Sequence, residues 1–209
     1  MTSDEPSRAP PAEPHEDAAW VRIATPLSPE QLRAFLSDVE RLYHINPLLE
    51  ISAFERAGRD RHRLIAHNHS NGQAINVVLA VAERGPTLEI AYSQGLKVAT
   101  HFRAEPKPHG ADLVVTDIYG GGSPEERHAR SSEVDLSLNA WGRALHDYLK
   151  AWARWSWLPP WRWYMQRVWQ PMKPSARRIV WMIWIISAFE VVALAALLAI
   201  WAALRQASP

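Results

Sequence analysis

His67 and His69 stand two residues apart, and the alternation of a β-strand puts both rings on one face. With His101 from an adjacent strand they would form the three-imidazole set that holds zinc. The stretch RHRLIAHNHSNGQ is polar at its end and places His67 toward solvent, so solvated strand histidines and no bound metal are expected. Asp117 and Tyr119, also two apart, have the types needed for acid/base work of a cyclase kind, and with His101 they are the weak catalytic candidates. Polar residues at the end of a strand more often simply form a rim. The run GGG at 120–122 lacks the lysine and the serine or threonine of a phosphate loop and reads as a hinge beside a cavity mouth. The chain has no cysteine, which excludes disulfides, thiolate nucleophiles and thiolate metal sites. No cofactor is expected.

The elements that would position these residues are legible from periodicity. AAWVRIATPL, residues 18–27, reads as a strand. SPEQLRAFLSDVERLYHINP opens with a capping box, Ser28 at the N-cap and Gln31 three residues on, and buries Leu32, Phe35, Leu36 and Val39. Strands follow at roughly 49–57, 61–69, 73–83, 87–94, 96–105 and 111–119, separated by AGRD, SNGQ, RGPT, Gly95 and KPHGA. Such tight links imply an antiparallel meander. A second capping box at Ser123–Glu126 precedes a long helix whose stripe is Val134, Leu138, Trp141, Leu145, Tyr148, Trp152 and Trp155.

Strand, helix, six antiparallel strands and a long closing helix give an α+β chain that resembles the START-like helix-grip superfamily (SRPBCC), most of all its polyketide cyclase/dehydrase, lipid-transport and coenzyme-Q-binding branch. The resemblance covers about residues 18–156 and rests on SPEQLRAFLSDVERLYHINPLLE, the hairpin series and DLSLNAWGRALHDYLKAW. It implies a curved sheet gripping the long helix around an apolar cavity for a lipid, sterol, hopanoid, quinone or polyketide. It carries over no shared catalytic residues, so it implies binding rather than chemistry. Setting Lys97, Arg103, Glu89, Arg61 and Arg63 outward turns Leu64, Ala66, Leu88, Ile90, Tyr92, Leu96, Val98, Thr100 and Phe102 inward. Phe35, Trp141, Leu145 and Tyr148 complete the candidate cavity wall. A filled core predicts nearly the same set, so alternation leaves cavity and core undecided.

The charge distribution separates the two ends. Residues 1–18 carry a net −4, and residues 150–178 carry +7 with no acid. Residues 1–17 read as a disordered acidic tail without the features of a signal peptide. Residues 179–204, IVWMIWIISAFEVVALAALLAIWAAL, make ~39 Å of helix, enough for a ~30 Å hydrocarbon core. The Leu, Ile, Val and Phe residues contribute about −4 to −8 kcal/mol on insertion scales, against roughly +3 for Glu190, so insertion wins. With RQASP (205–209) after it, this segment reads as a tail anchor. Lys173, Arg177 and Arg178 at its start place the N-terminal domain in the cytoplasm, as at a bacterial inner membrane.

Between domain and anchor, residues 157–178 form a Trp/Arg-rich interfacial segment. Trp161, Tyr164, Met165, Val168 and Trp169 fall on one stripe, with Arg162 and Arg167 opposite and Trp163 off the pattern. That segment, with Trp155 and Trp157, is expected to lie among lipid headgroups; packing on the domain's own surface is the alternative. The expected partners are the bilayer, a hydrophobic small molecule, and a membrane protein reached through Glu190 or the spanning helix; nucleic acid is not expected. The expected function is membrane-tethered binding or transfer of a hydrophobic ligand. The alternatives are a cyclase or lyase acting on a membrane-soluble substrate, and a scaffold or assembly factor of a membrane complex.

Overall fold

The computed structural model describes residues 18–120 and 131–207. The acidic segment before residue 18 and the second capping box at Ser123–Glu126 lie outside them, as do Gly121 and Gly122 of the glycine run.

Seven strands form one antiparallel sheet. They are β1 (Ala18–Thr25), β2 (Leu49–Arg56), β3 (Arg61–Asn68), β4 (Gln73–Arg84), β5 (Thr87–Tyr92), β6 (Lys97–Pro106) and β7 (Ala111–Tyr119), in the order β1-β7-β6-β5-β4-β3-β2. The first strand pairs with the last, so β1 and β2 lie at opposite edges and the chain between them must cross the sheet. Two short helices make that crossing, α1 (Pro29–Leu36) and α2 (Val39–Ile45). The Ser28 capping box is formed: Gln31 N donates to Ser28 Oγ at 3.2 Å, and Ser28 N donates to Gln31 Oε1 at 2.9 Å. The expected single helix breaks after Ser37, because Asp38 starts a new one by accepting from Arg41 N at 3.1 Å. Leu32, Phe35, Leu36 and Val39 remain buried across the break.

Helix α3 (Ser131–Trp155) grips the sheet, packing against β1 and α2. Leu138, Trp141, Leu145, Tyr148 and Leu149 join Ile23, Leu64, Leu79, Ile90, Phe102, Leu113 and Val115 in one core. This is the helix-grip arrangement. Its closeness depends on two glycines. At Gly142 of α3 a Cβ would sit 3.0 Å from a Val21 methyl. At Gly110, in the β6–β7 turn, φ is +97° and a Cβ would lie 2.4 Å from the Thr25 carbonyl oxygen.

After α3 the chain forms α4 (Pro159–Tyr164), a π-helical turn (Met165–Trp169) and α5 (Pro174–Ala207). Here the structure departs from the expected interfacial helix. Trp161, Tyr164 and Trp169 pack on the domain core and Met165 is buried in it. Trp161 meets Trp152 at a ring-centroid distance of 5.7 Å, and Trp169 meets Tyr148 at 5.3 Å. The reason is competition. The end of α3 offers an aromatic surface of Tyr148 and Trp152, and each large apolar side chain that covers it gains up to ~1.5–3 kcal/mol. The periodicity is as expected, but the face it covers is protein. Trp157 and Trp163, exposed at 72% and 60%, point away from the domain together with Trp155, Arg162 and Arg167.

α5 contains a stretch, Pro174–Ala203, long and apolar enough to cross a membrane, with no part of its most apolar window buried against the domain.

Candidate functional site

The core is filled at one end and open at the other. Phe35, Tyr148 and Trp152 cluster at the filled end, with ring centroids 5.7 to 6.2 Å apart. At the other end lies a cavity of ≈ 420 Å³ between the end of α2, the β3–β4 and β5–β6 turns and the first part of α3. Among the residues assigned to a cavity from alternation, Leu64, Tyr92, Leu96 and Trp141 line it. Phe35, Ala66, Leu88, Ile90, Thr100, Phe102, Leu145 and Tyr148 are buried in the packed core.

One of the assigned residues points the other way. Val98 is 38% exposed, and its neighbour Lys97, which alternation sets outward, faces the cavity. The cause is a β-bulge. Lys97 pairs with Tyr119 and Ala99 with Ile118, so Val98 is an extra residue that reverses the alternation at the start of β6.

The bulge carries the Lys97 ammonium to a buried carboxylate. Nζ lies 2.5 Å from Asp117 Oδ2, and the Asp117 side chain is only 1% exposed. Asp117 also accepts from Thr100 Oγ1 at 2.6 Å and from Tyr119 Oη at 3.2 Å. Tyr92 Oη is 3.0 Å from Thr100 Oγ1 and 2.6 Å from Tyr43 Oη. Because the Thr100 proton goes to the carboxylate, Tyr92 must donate to Thr100 and Tyr43 to Tyr92. The result is a relay of hydroxyls ending on one acid. Tyr92, Tyr119 and Trp141 rings surround the ammonium at 5.7, 6.0 and 5.7 Å. Trp141 is fixed by donating Nε1–H to the Leu42 carbonyl at 3.0 Å.

Burial alone would lower the pKa of Lys97, but the Asp117 charge and the Tyr92 and Tyr119 oxygens override it and hold the ammonium above the ordinary lysine value. Burial raises Tyr43, Tyr92 and Tyr119 as well. Asp117 and Tyr119 are thus brought together as the sequence suggested, but Tyr119 spends its proton on Asp117. His101 is not with them: it lies on the other face of β6, opposite Glu89 and Thr116.

The histidine trio does not assemble either. His67 and His69 rings are 5.0 Å apart on β3 and the turn after it, while β4 and β5 separate them from His101. His69 Nε2 instead meets Glu50 Oε2 at 3.1 Å. No group of three or more His, Asp or Glu suited to a metal occurs among the described residues.

The cavity mouth is amide-rich, with Asn46, Asn68, Asn71, Gln73, Asn76 and Gln94. Sequence reasoning takes SNGQ and Gly95 only as turn signals and sets Lys97 outward, so it misses these amides, Lys97 and Tyr43. The available hint is the run of amides around the β3–β4 turn, Asn68, Asn71, Gln73 and Asn76.

The outer rim of the cavity is tied to the start of α5. Arg177 donates to the carbonyl oxygens of His44 at 2.6 Å, Gln170 at 2.8 Å and Trp169 at 3.1 Å, and its guanidinium lies 3.9 Å over the Trp169 ring. Lys173 Nζ pairs with Glu50 Oε1 at 2.7 Å. His44 and Glu50 are neighbours in the chain of the cavity residues Asn46 and Leu49.

No protein-family model and no curated protein matches the chain. Solved structures do. The Zhui aromatase/cyclase from Streptomyces sp. R1128 superposes with a TM-score of 0.56 at 13% identity, covering 66% of this chain and 96% of that one. A START superfamily protein from Mycobacterium smegmatis gives 0.50 at 20% identity, covering 63% and 94%. At these identities the likeness establishes the fold alone, the α+β helix grip.

Proposed function

We propose that this chain is a membrane-tethered binding protein for a hydrophobic small molecule, with α5 spanning the bilayer and the helix-grip domain on its cytoplasmic side. The observation that carries the reading is the attachment of the cavity rim to the start of α5. Arg177 on the His44 carbonyl and Lys173 on the Glu50 carboxylate join the start of α5 to the segment that carries the rim residues Asn46 and Leu49. Trp157 and Trp163, with Arg162 and Arg167 nearby, then meet the headgroups, where aromatic rings and cations are favoured.

Binding is favoured over cyclase or lyase catalysis by the protonation states. A general base works best with a pKa near the operating pH. Lys97, Tyr43, Tyr92 and Tyr119 are all displaced upward, away from neutrality. Glu190, on the part of α5 that touches nothing in the domain, is the polar group through which the scaffold alternative would dock a second membrane protein.

The test is native mass spectrometry of the full-length protein taken gently from membranes, followed by organic extraction. One small hydrophobic molecule per chain is expected. A chain cut after Arg178, which keeps the buried Met165, should leave the membrane and lose most of that occupancy. An empty full-length protein bound one-to-one to another polypeptide, and released from it by Glu190→Leu, would replace this reading with a scaffold.

A further inference from the structure

Resting on the ligand-binding reading above, we infer that the cavity selects a compact ring compound that presents a neutral oxygen, a ring carbonyl or a phenolic hydroxyl, to Lys97. Three features of the wall lead there. The first is the distribution of donors. Tyr43, Tyr92, Thr100 and Tyr119 commit their hydroxyl protons to the relay that ends on Asp117. Lys97 carries three N–H donors and, among the described residues, bonds only to Asp117 Oδ2. Its side chain is 25% exposed, into the cavity. The ammonium is therefore the donor left for an incoming oxygen. Asn46 and Asn68 use their carbonyl oxygens on Leu48 N and Ser70, which leaves their NH2 groups as further donors at the mouth.

The second feature is shape and surface. A volume of ≈ 420 Å³ is at the small end of the range for ligand pockets and suits a compact molecule rather than a two-chain lipid. The rings of Tyr92, Tyr119 and Trp141 around Nζ make the wall beside the ammonium aromatic, which suits a planar ring. The third feature is charge. Asp117 already supplies one carboxylate to Lys97, the one cation among the described lining residues, so a second full carboxylate at the same ammonium would be repelled. A fatty acid is disfavoured on that ground, and a plain hydrocarbon leaves the ammonium's donors unmet.

A charge-assisted hydrogen bond contributes enough for about a tenfold or greater preference. The experiment is equilibrium dialysis of the full-length protein in amphipol against 2-methyl-1,4-naphthoquinone, 1-naphthol, naphthalene and decanoate. The quinone or the naphthol, whichever oxygen chemistry the site prefers, should bind at least tenfold more tightly than naphthalene and decanoate. Lys97→Met should reduce that preference below threefold. If Lys97→Met does not fold, the Lys97→Met/Asp117→Asn pair, which strands no charge, serves in its place. Equal affinity for all four probes in the wild type, tightest binding of decanoate, or a preference that survives removal of Lys97 would each overturn the inference while the hydrophobic-ligand reading stands. Failure of every probe to bind the wild type would remove both.

Discussion

Asp117→Asn removes one negative charge from a side chain that is only 1% exposed. The amide oxygen can still accept from Thr100, but the charge is lost and an NH2 group stands where Lys97 and Tyr119 had an acceptor. Lys97 is then a cation in a cage of three rings with no counterion, and breaking a buried pair in this way costs ~3–5 kcal/mol. The 25% exposure of the Lys97 side chain argues for the lower end, about 3 kcal/mol. Lys97→Met strands the Asp117 carboxylate, 1% exposed, with two hydroxyl donors for company, and should cost about as much. Removing both charges together strands neither. The double variant should lie within ~1–2 kcal/mol of wild type, which gives a coupling of roughly 4 kcal/mol between the two positions. For a chain of this length each single variant should lose about 6–12 °C in melting temperature. The assay is thermal unfolding of the three variants and wild type in amphipol, followed by near-UV circular dichroism. Single-variant effects that add to within about 0.5 kcal/mol of the double variant would refute the pair as drawn.

Burial and the nearby Arg177 hold the His44 imidazole down to about 4, below the ~6.5 of an unfolded chain. The unfolded state therefore takes up the proton first, and stability present above pH ~6.5 declines as pH falls to about 4, by up to ~3 kcal/mol. Denaturant titrations between pH 4 and 7 should show that decline, and His44→Gln should flatten it. Gly110→Ala must place a side chain at φ +97° and 2.4 Å from a carbonyl oxygen, so equilibrium unfolding should show a loss of at least ~2 kcal/mol. Gly85→Ala, at φ +60° with nothing within 4 Å, should lose only about 1 kcal/mol. Arg177→Ala deletes three hydrogen bonds to helix-end carbonyls, and chymotryptic cleavage at Trp169 should speed up about tenfold or more with the domain's own melting little changed.

What the sequence revealed and what it hid have different physical origins. Strand ends were legible because each is marked by glycine, proline or polar turn residues whose backbone preferences act locally, and the observed β2 to β7 fall within two residues of the expected spans. The split of the first helix was hidden because Asp38 competes as an N-cap from inside a continuous apolar stripe. The bulge at Val98 was hidden for a deeper reason. No local residue preference requires it; the pairing of β6 with β7 and the attraction of Lys97 for Asp117 do, and both are long-range. One extra residue reversed the assignments of Lys97 and Val98 together. The face covered by Trp161 and Trp169 was illegible in the same way, since periodicity gives the stripe and only the folded surface of Tyr148 and Trp152 gives its partner.

That inward turn of the tryptophan stripe bears on how a tether would act. Had Trp161 and Trp169 lain in lipid, the domain would hang from a flexible strap and its cavity could face any direction. With the stripe packed on the core, Arg177 on the ends of α2 and the π-helical turn, and Lys173 on Glu50, the first turn of α5 is continuous with the rigid domain. With α5 in a bilayer, the segment carrying the rim residues Asn46 and Leu49 would be held at the start of the anchor. A ring ligand leaving the lipid would then meet the amides at the mouth first and the ammonium of Lys97 last. In that arrangement the anchor's role is orientation, holding one opening of a small cavity against the surface from which its ligand must come.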